Sequence, residues 1–208
     1  MVNLYFYIPY EVADDIVFSG LSLSKWANRE GFIMGSRKKC ITALLNPRDD
    51  LQKYDSSEYK CLKLTAPYAY CRVADNYLYE IGEAIPEIMD MYWKNVIPVD
   101  EYKFGTFIKP EALITATVIP GRVTYADKKA DAISLISDNR ELYLSNHLEE
   151  LQAIDKDIKN KLLYHYFKNL TLSGKYVEYS SYETGSKTIF IDSEGSYLAL
   201  DRPFGQQC

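Results

Sequence analysis

Prolines and glycines cut the first 125 residues of this 208-residue chain into short runs rich in β-branched and aromatic side chains. Proline has no backbone N–H and glycine favours turns, so such breaks end elements and keep each of them short. Residues 2–8 read as a strand, and Pro9 opens a helix whose apolar positions Val12, Ile16 and Val17 recur at helical spacing until Gly20. Apolar runs at about 40–46, 59–65 and 69–74, broken by Asn46-Pro47 and Ala66-Pro67, predict three further strands. A helical stretch over about 76–94 carries Tyr77, Ile81, Ile85, Ile88 and Met89 as a buried stripe, interrupted at Gly82 and Pro86. The strongest strand signal is Glu111 to Ile119, held between Pro110 and Pro120-Gly121.

Beyond residue 125 the pattern changes. A polar stretch through Asp138-Asn139 leads to helices at about 139–151 and 154–171, whose one-sided faces are Leu142, Leu148 and Leu151, then Ile158, Leu162, Leu163, Tyr166 and Leu170. Residues 175–181 and 187–191 read as a hairpin around Glu183-Thr184-Gly185-Ser186, with a last strand at about 197–200. The expected fold class is α+β, with a core over 1–125 and a helical and hairpin extension over 126–208 packed on it.

Composition narrows the function classes. The 29 acidic and 24 basic side chains leave a net charge of −5, which argues against wholesale coating of nucleic acid but leaves room for a local basic patch. Nineteen tyrosines favour strands and amphipathic pocket walls, since each joins an apolar ring to one hydrogen-bonding tip. Cys40, Cys61, Cys71 and Cys208 form no C-x-x-C pair, so reduced core thiols are expected and no metal site. His147 and His165 fall on the expected C-terminal helices and take no role. With no charged start ahead of an apolar leader and no apolar run near the ~18 residues of a membrane span, a soluble cytoplasmic protein with no membrane partner is expected.

Three places could carry chemistry. Asn46-Pro47-Arg48-Asp49-Asp50 follows an apolar strand; this is ordinary turn composition, and it also sets Arg48 at a sheet mouth, where a guanidinium can clamp a phosphate or carboxylate. Glu111 opens the most apolar strand, either as an exposed strand end or as a desolvated carboxylate facing a cleft, suited to stabilising positive charge or taking a proton. The strand Leu4-Tyr5-Phe6-Tyr7-Ile8, with Gly20-Leu21-Ser22, Trp26, Asn28, Arg29 and Arg37, reads as core or as a ribose and nicotinamide pocket walled by tyrosine. The Gly31 to Lys39 loop has two glycines without G-x-G-x-x-G or Walker spacing, and no G-x-S-x-G occurs anywhere, so no Rossmann, P-loop or serine-hydrolase motif is present.

In their order, Leu4-Tyr5-Phe6, Ile16 to Leu21, Ala43-Leu44-Leu45-Asn46-Pro47-Arg48 and Pro110-Glu111-Ala112-Leu113-Ile114 resemble the motifs of the DarT-type ADP-ribosyltransferases, toxins that modify DNA bases using NAD. The resemblance covers about residues 4–122. It implies an ADP-ribosyltransferase-like mixed sheet core, with NAD as the substrate. Glu111 would be catalytic and Arg48 would bind NAD and assist the reaction; Tyr5, Tyr7, Leu21, Ser22 and Arg29 would complete the NAD site. The segment of about 92–110 occupies the acceptor-recognition position, where Lys94, Tyr102, Lys103, Phe107 and Lys109 would suit an unstacked base of a single-stranded nucleic acid. An antitoxin or other protein partner would accompany a toxin or phage-conflict role. The chain departs from the family at Phe6, where a polar residue commonly faces the NAD. Two alternatives stay open: the same fold with a protein or small-molecule acceptor, and a non-catalytic nucleotide-binding or interaction module.

Overall fold

The computed structural model describes residues 1–132, 139–180 and 186–203. The expected turn residues Glu183, Thr184 and Gly185, together with Asp138 and Cys208, lie outside them. The chain divides into two compact units, Met1–Tyr143 and Leu144–Cys208. Sequence character changes after residue 125, but the first unit extends as far as Tyr143.

The first unit holds eight strands among the described residues: β1 (Val2–Pro9), β2 (Arg29–Ile33), β3 (Ser36–Ala43), β4 (Tyr59–Ala66), β5 (Cys71–Asp75), β6 (Ile97–Pro98), β7 (Pro110–Ile114) and β8 (Val123–Tyr125). Between them run the short helices α1 (Ala13–Ser19), α2 (Leu23–Trp26), α3 (Leu51–Asp55), α4 (Asn76–Gly82), α5 (Pro86–Lys94) and α6 (Lys128–Asp131). One sheet has the order β1-β4-β8 and the other β2-β3-β7-β5-β6. Tyr5 and Leu44 join the two by a pair of backbone hydrogen bonds, 2.9 and 2.7 Å long.

Where a mixed sheet is expected, every described pairing is antiparallel. The reason is an insertion. β3 and β5 run the same way, and β7, coming later in the chain, slots between them and opposes both, with Ala112 opposite Ala43 on one side and Val73 on the other. All five β7 residues are buried. The strand stops at Ile114, shorter than the Glu111–Ile119 signal, because Thr115 turns to bond Tyr70 and Val118 pairs instead with Leu21.

The main core lies between the two sheets, with Leu4, Ile8, Leu62 and Leu64 facing Ile41, Val73, Ala112 and Ile114. The other face of the five-stranded sheet is covered by α4 and α5, where Tyr92 packs with Cys40, Ala74 and Leu113. Tyr77 and Ile85, expected in the buried stripe, are exposed; Leu78 and Tyr79 take the sheet-facing positions because the break at residues 83–85 resets the register between α4 and α5. Gly82 lets the two helices close, since a Cβ there would stand 2.8 Å from Met89 Cα. The Gly31 to Lys39 segment, read from sequence as a loop, is the β2–β3 hairpin. Its two-residue turn, Met34-Gly35, has positive φ at both positions (51° and 76°), the form that matches strand twist.

Cys40, Cys61 and Cys71 are buried free thiols, each pushed up to about 11 by burial. Among the described residues no group of His, Cys, Asp or Glu could hold a metal, and no helix is long and apolar enough to cross a membrane.

In the second unit, α8 (Ile158–Leu172), which comes after α7 (Asn139–Ile154), lies on the antiparallel sheet β9 (Tyr176–Tyr179), β10 (Lys187–Asp192) and β11 (Tyr197–Asp201). The face that α8 buries is Tyr164 and Phe167 against Phe190, Leu198 and Leu200. The expected stripe is displaced from it: Leu162, Leu163 and Tyr166 are exposed, because the Tyr164 and Phe167 rings pack on Phe190 across from them and so fix which side of α8 is buried. Similarly, α7 buries no residue fully.

Candidate active site

Arg48 is aimed by a tightly bonded turn. Asn46, almost wholly buried, accepts the Arg48 backbone N–H on its side-chain oxygen at 3.0 Å, while Asp49 accepts the Asn46 N–H at 2.9 Å. This reciprocal capping box starts a single 3-10 turn, with Pro47 fixing its first dihedral. Tyr7 adds a hydrogen bond from its hydroxyl to the Pro47 carbonyl, 2.8 Å long. From this frame the Arg48 side chain emerges exposed, its guanidinium 5.7 Å from the Tyr54 ring centroid and in no ion pair among the described residues. The turn reading and the functional reading of this segment are thus compatible: the turn is what presents the arginine.

Glu111 is positioned from the opposite direction. Asp75, at the end of β5, accepts the backbone N–H groups of Ile108 and Lys109 at 3.1 and 2.9 Å, which fixes the chain just ahead of β7. The strand then delivers Glu111 beside Ala74, with only 6% of its surface exposed. Its Oε1 accepts a 2.7 Å hydrogen bond from the Tyr92 hydroxyl, and its Oε2 lies 3.5 Å from Arg29 Nη2. Burial raises the carboxyl above the usual range, against the pull of the Arg29 charge and the Tyr92 hydroxyl. Burial and the neighbouring carboxylate in turn push the Tyr92 hydroxyl far up, so it stays protonated and donates.

Arg48 and Glu111 line one cleft of about 350 Å³, with Tyr5, Phe6 and Tyr7 on another wall. Asp49, whose carboxyl burial raises to about 6, and Arg140 also border it. Lys53 and Lys109 contribute cations that are already paired, with Asp50 at 2.8 Å and with Glu80. Phe6 is fixed edge-on against Trp26, with ring centroids 5.9 Å apart, so its place on the wall is set by core packing. The Tyr5 and Tyr7 hydroxyls are committed to the carbonyls of Asp131 and Pro47.

The remaining expected site residues fall elsewhere. Leu21 is fully buried and bonded to Val118, and Ser22 bonds Ser24; neither borders the cleft, because the strand-like pairing at Leu21 turns this segment into the core. Arg29 stands behind Glu111, off the cleft wall, stacked 3.6 Å over the Tyr79 ring. Of the five expected nucleic-acid contacts only Lys109 borders the cleft. Tyr102 stacks on Phe107 at 5.6 Å, and Phe107 is 9% exposed in the main core, so these rings are spent on packing. Lys94 and Lys103 are exposed and lie off the cleft.

Asn76 is a site residue that sequence reasoning does not single out, while Asp49 and Tyr92 fall in segments read from sequence as a turn and as an acceptor surface, without the roles the structure gives them. For Tyr92 a signal exists, since it continues the apolar stripe three residues after Met89. Taken together, the cleft sets a guanidinium with no ion pair among the described residues and a buried carboxylate beside a wall of aromatic rings, a combination suited to an anionic ligand that develops positive charge on reaction. Compared with protein-family models, with curated proteins and with solved structures, the chain matches none of them.

Proposed function

We propose that this chain is an NAD-dependent ADP-ribosyltransferase that modifies a nucleic-acid base. The observation that carries the reading is that Arg48 and Glu111, remote in sequence, border the same cleft. Its volume falls in the ordinary range for small-ligand pockets, and the exposed Arg48 guanidinium, in no ion pair among the described residues, suits the pyrophosphate of NAD. In the reaction, the bond between nicotinamide nitrogen and ribose C1′ breaks and its electron pair leaves with nicotinamide. Glu111 stabilises the oxocarbenium character that develops and accepts the ribose 2′-hydroxyl hydrogen bond. A base nitrogen then bonds C1′ and gives up its proton to water. The fixing of Tyr102 and Phe107 in the core favours a second reading of the acceptor, as a protein or small molecule held by the same cleft.

The test is label transfer from adenylate-labelled NAD to single- and double-stranded DNA, RNA and protein, with nicotinamide release monitored in parallel. Transfer to nucleic acid by wild type, with none by Glu111→Gln, is expected. Transfer to protein alone selects the second acceptor, and no nicotinamide release with any acceptor overturns the proposal.

A further inference from the structure

We infer that Tyr92 and Arg29 are positioning residues, which hold the Glu111 carboxylate ionised and in one orientation toward the ribose, where it stabilises the developing positive charge; this rests on the function proposed above. The geometry supplies the argument. A carboxylate on a buried strand has two oxygens to satisfy, and here each has a different partner on a different element: Oε1 the hydroxyl of Tyr92 on α5, Oε2 the guanidinium of Arg29 on β2. Two fixed contacts from two directions remove the carboxylate's rotation about its last bond, which one contact alone would leave free.

Both partners are themselves immobilised. Tyr92 is fully buried, with the rings of Tyr79 and Trp93 edge-on at 5.2 and 4.7 Å. Arg29 is stacked on Tyr79, and its Nη2 donates to Asn76 Oδ1 at 3.1 Å; Asn76 in turn donates to Glu80 at 2.9 Å, and Glu80 pairs with Lys109. The Arg29 Nε–H is buried with no acceptor among the described residues. An unsatisfied buried donor is costly, and it persists here because the guanidinium is placed for Glu111 and not for its own full set of bonds. Among the described residues, the charged and titratable groups packed against Glu111 are Arg29 from β2, Tyr92 from α5, Glu80 from α4 and Cys40 from β3, of which Arg29 and Tyr92 favour the ionised carboxylate; the cations Arg48 and Lys109 face it across the cleft.

The experiment measures nicotinamide release by wild type, Tyr92→Phe and Arg29→Gln across pH, separating kcat from KM for NAD, with Glu111→Gln as the inactive reference. Removing a hydrogen bond to a charged group is expected to lower kcat roughly tenfold to a hundredfold while KM changes little. The acid limb of the profile moves to higher pH by about one unit in Tyr92→Phe, since the lost donor favoured the ionised form. Carbon-13 NMR titration of the Glu111 carboxyl reads the same upward shift without turnover. If Tyr92→Phe does not fold, Arg29→Gln carries both readouts. An active wild type whose Tyr92→Phe and Arg29→Gln variants keep its kcat and acid limb overturns the positioning role and leaves the function standing. A wild type that releases no nicotinamide overturns the function, and a Glu111 titration unchanged in Tyr92→Phe then removes the positioning as well.

Discussion

Gly31 and Trp93 offer a test of packing that is independent of any activity. Gly31 sits on β2, opposite Lys38, and a Cβ added there would run into the Trp93 indole. Trp93 packs in the α5-side core and lies edge-on to Tyr92. Gly31→Ala should therefore overpack the site, at a cost of about 1–3 kcal/mol. Against this stands the gain from replacing glycine inside a strand, about 0.5–1 kcal/mol. The net expectation is a loss of about 1 kcal/mol, or roughly 2–4 °C in midpoint for a chain of this length. In a Trp93→Ala background the obstacle is gone and only the gain remains, so the same substitution should stabilise by about 0.5–1 kcal/mol. A double-mutant cycle by urea unfolding reads the overpacking itself as a coupling of roughly 1–3 kcal/mol. Equal cost in both backgrounds would refute the argument, because strain in the strand itself would then be the cause.

The cleft gives two further expected outcomes. Burial raises the Asp49 carboxyl from 3.8 to about 6, so between those values the folded state binds more protons than the unfolded. Stability from this group is complete below about pH 4 and is lost as pH rises to 6, by about 3 kcal/mol in all. Asp49→Asn should then exceed wild type in urea resistance at pH 7, less about 1 kcal/mol for the acceptor it gives up, and lose that advantage at pH 4; a difference independent of pH would count against it. Arg48→Lys should raise KM for NAD roughly as much as Arg48→Ala, about tenfold, because a point charge does not reproduce the bidentate fork; recovery by lysine would show that charge alone suffices.

Local chemistry accounts for what was legible in the sequence. Pro9, Gly20, Pro47, Pro86 and Pro110 mark element ends that the structure has at those places, since each acts through its own dihedrals. Gly20 is an instance: its φ is +80°, and a Cβ would stand 2.5 Å from the Val118 carbonyl oxygen. The β2 strand was not legible because Arg29-Glu30-Gly31 carries no β pattern, and its pairing with β3 supplies what its composition lacks. Glu111's direction was equally hidden. It depends on which face of the sheet receives Leu113 and Tyr92, and that is decided by contacts between segments distant in sequence. On α8 the aromatic rings of Tyr164 and Phe167 select the buried side because Phe190 lies across from them, information held some 25 residues downstream.

The place of β7 has a consequence for the order of assembly. β3 and β5 have no contact with each other as paired strands until β7 lies between them. A growing chain that has emerged only as far as residue 109 therefore carries two strands with open hydrogen-bonding edges and an empty slot of one strand's width. Closing that slot means bringing together segments separated by long loops, the slow kind of pairing, and until it happens both edges are open to other chains. The strand that fills it brings Glu111 as its second residue. Completion of the central sheet and arrival of the carboxylate in its cleft are one event, so a nascent or partly folded chain holds the arginine side of the site without the carboxylate side.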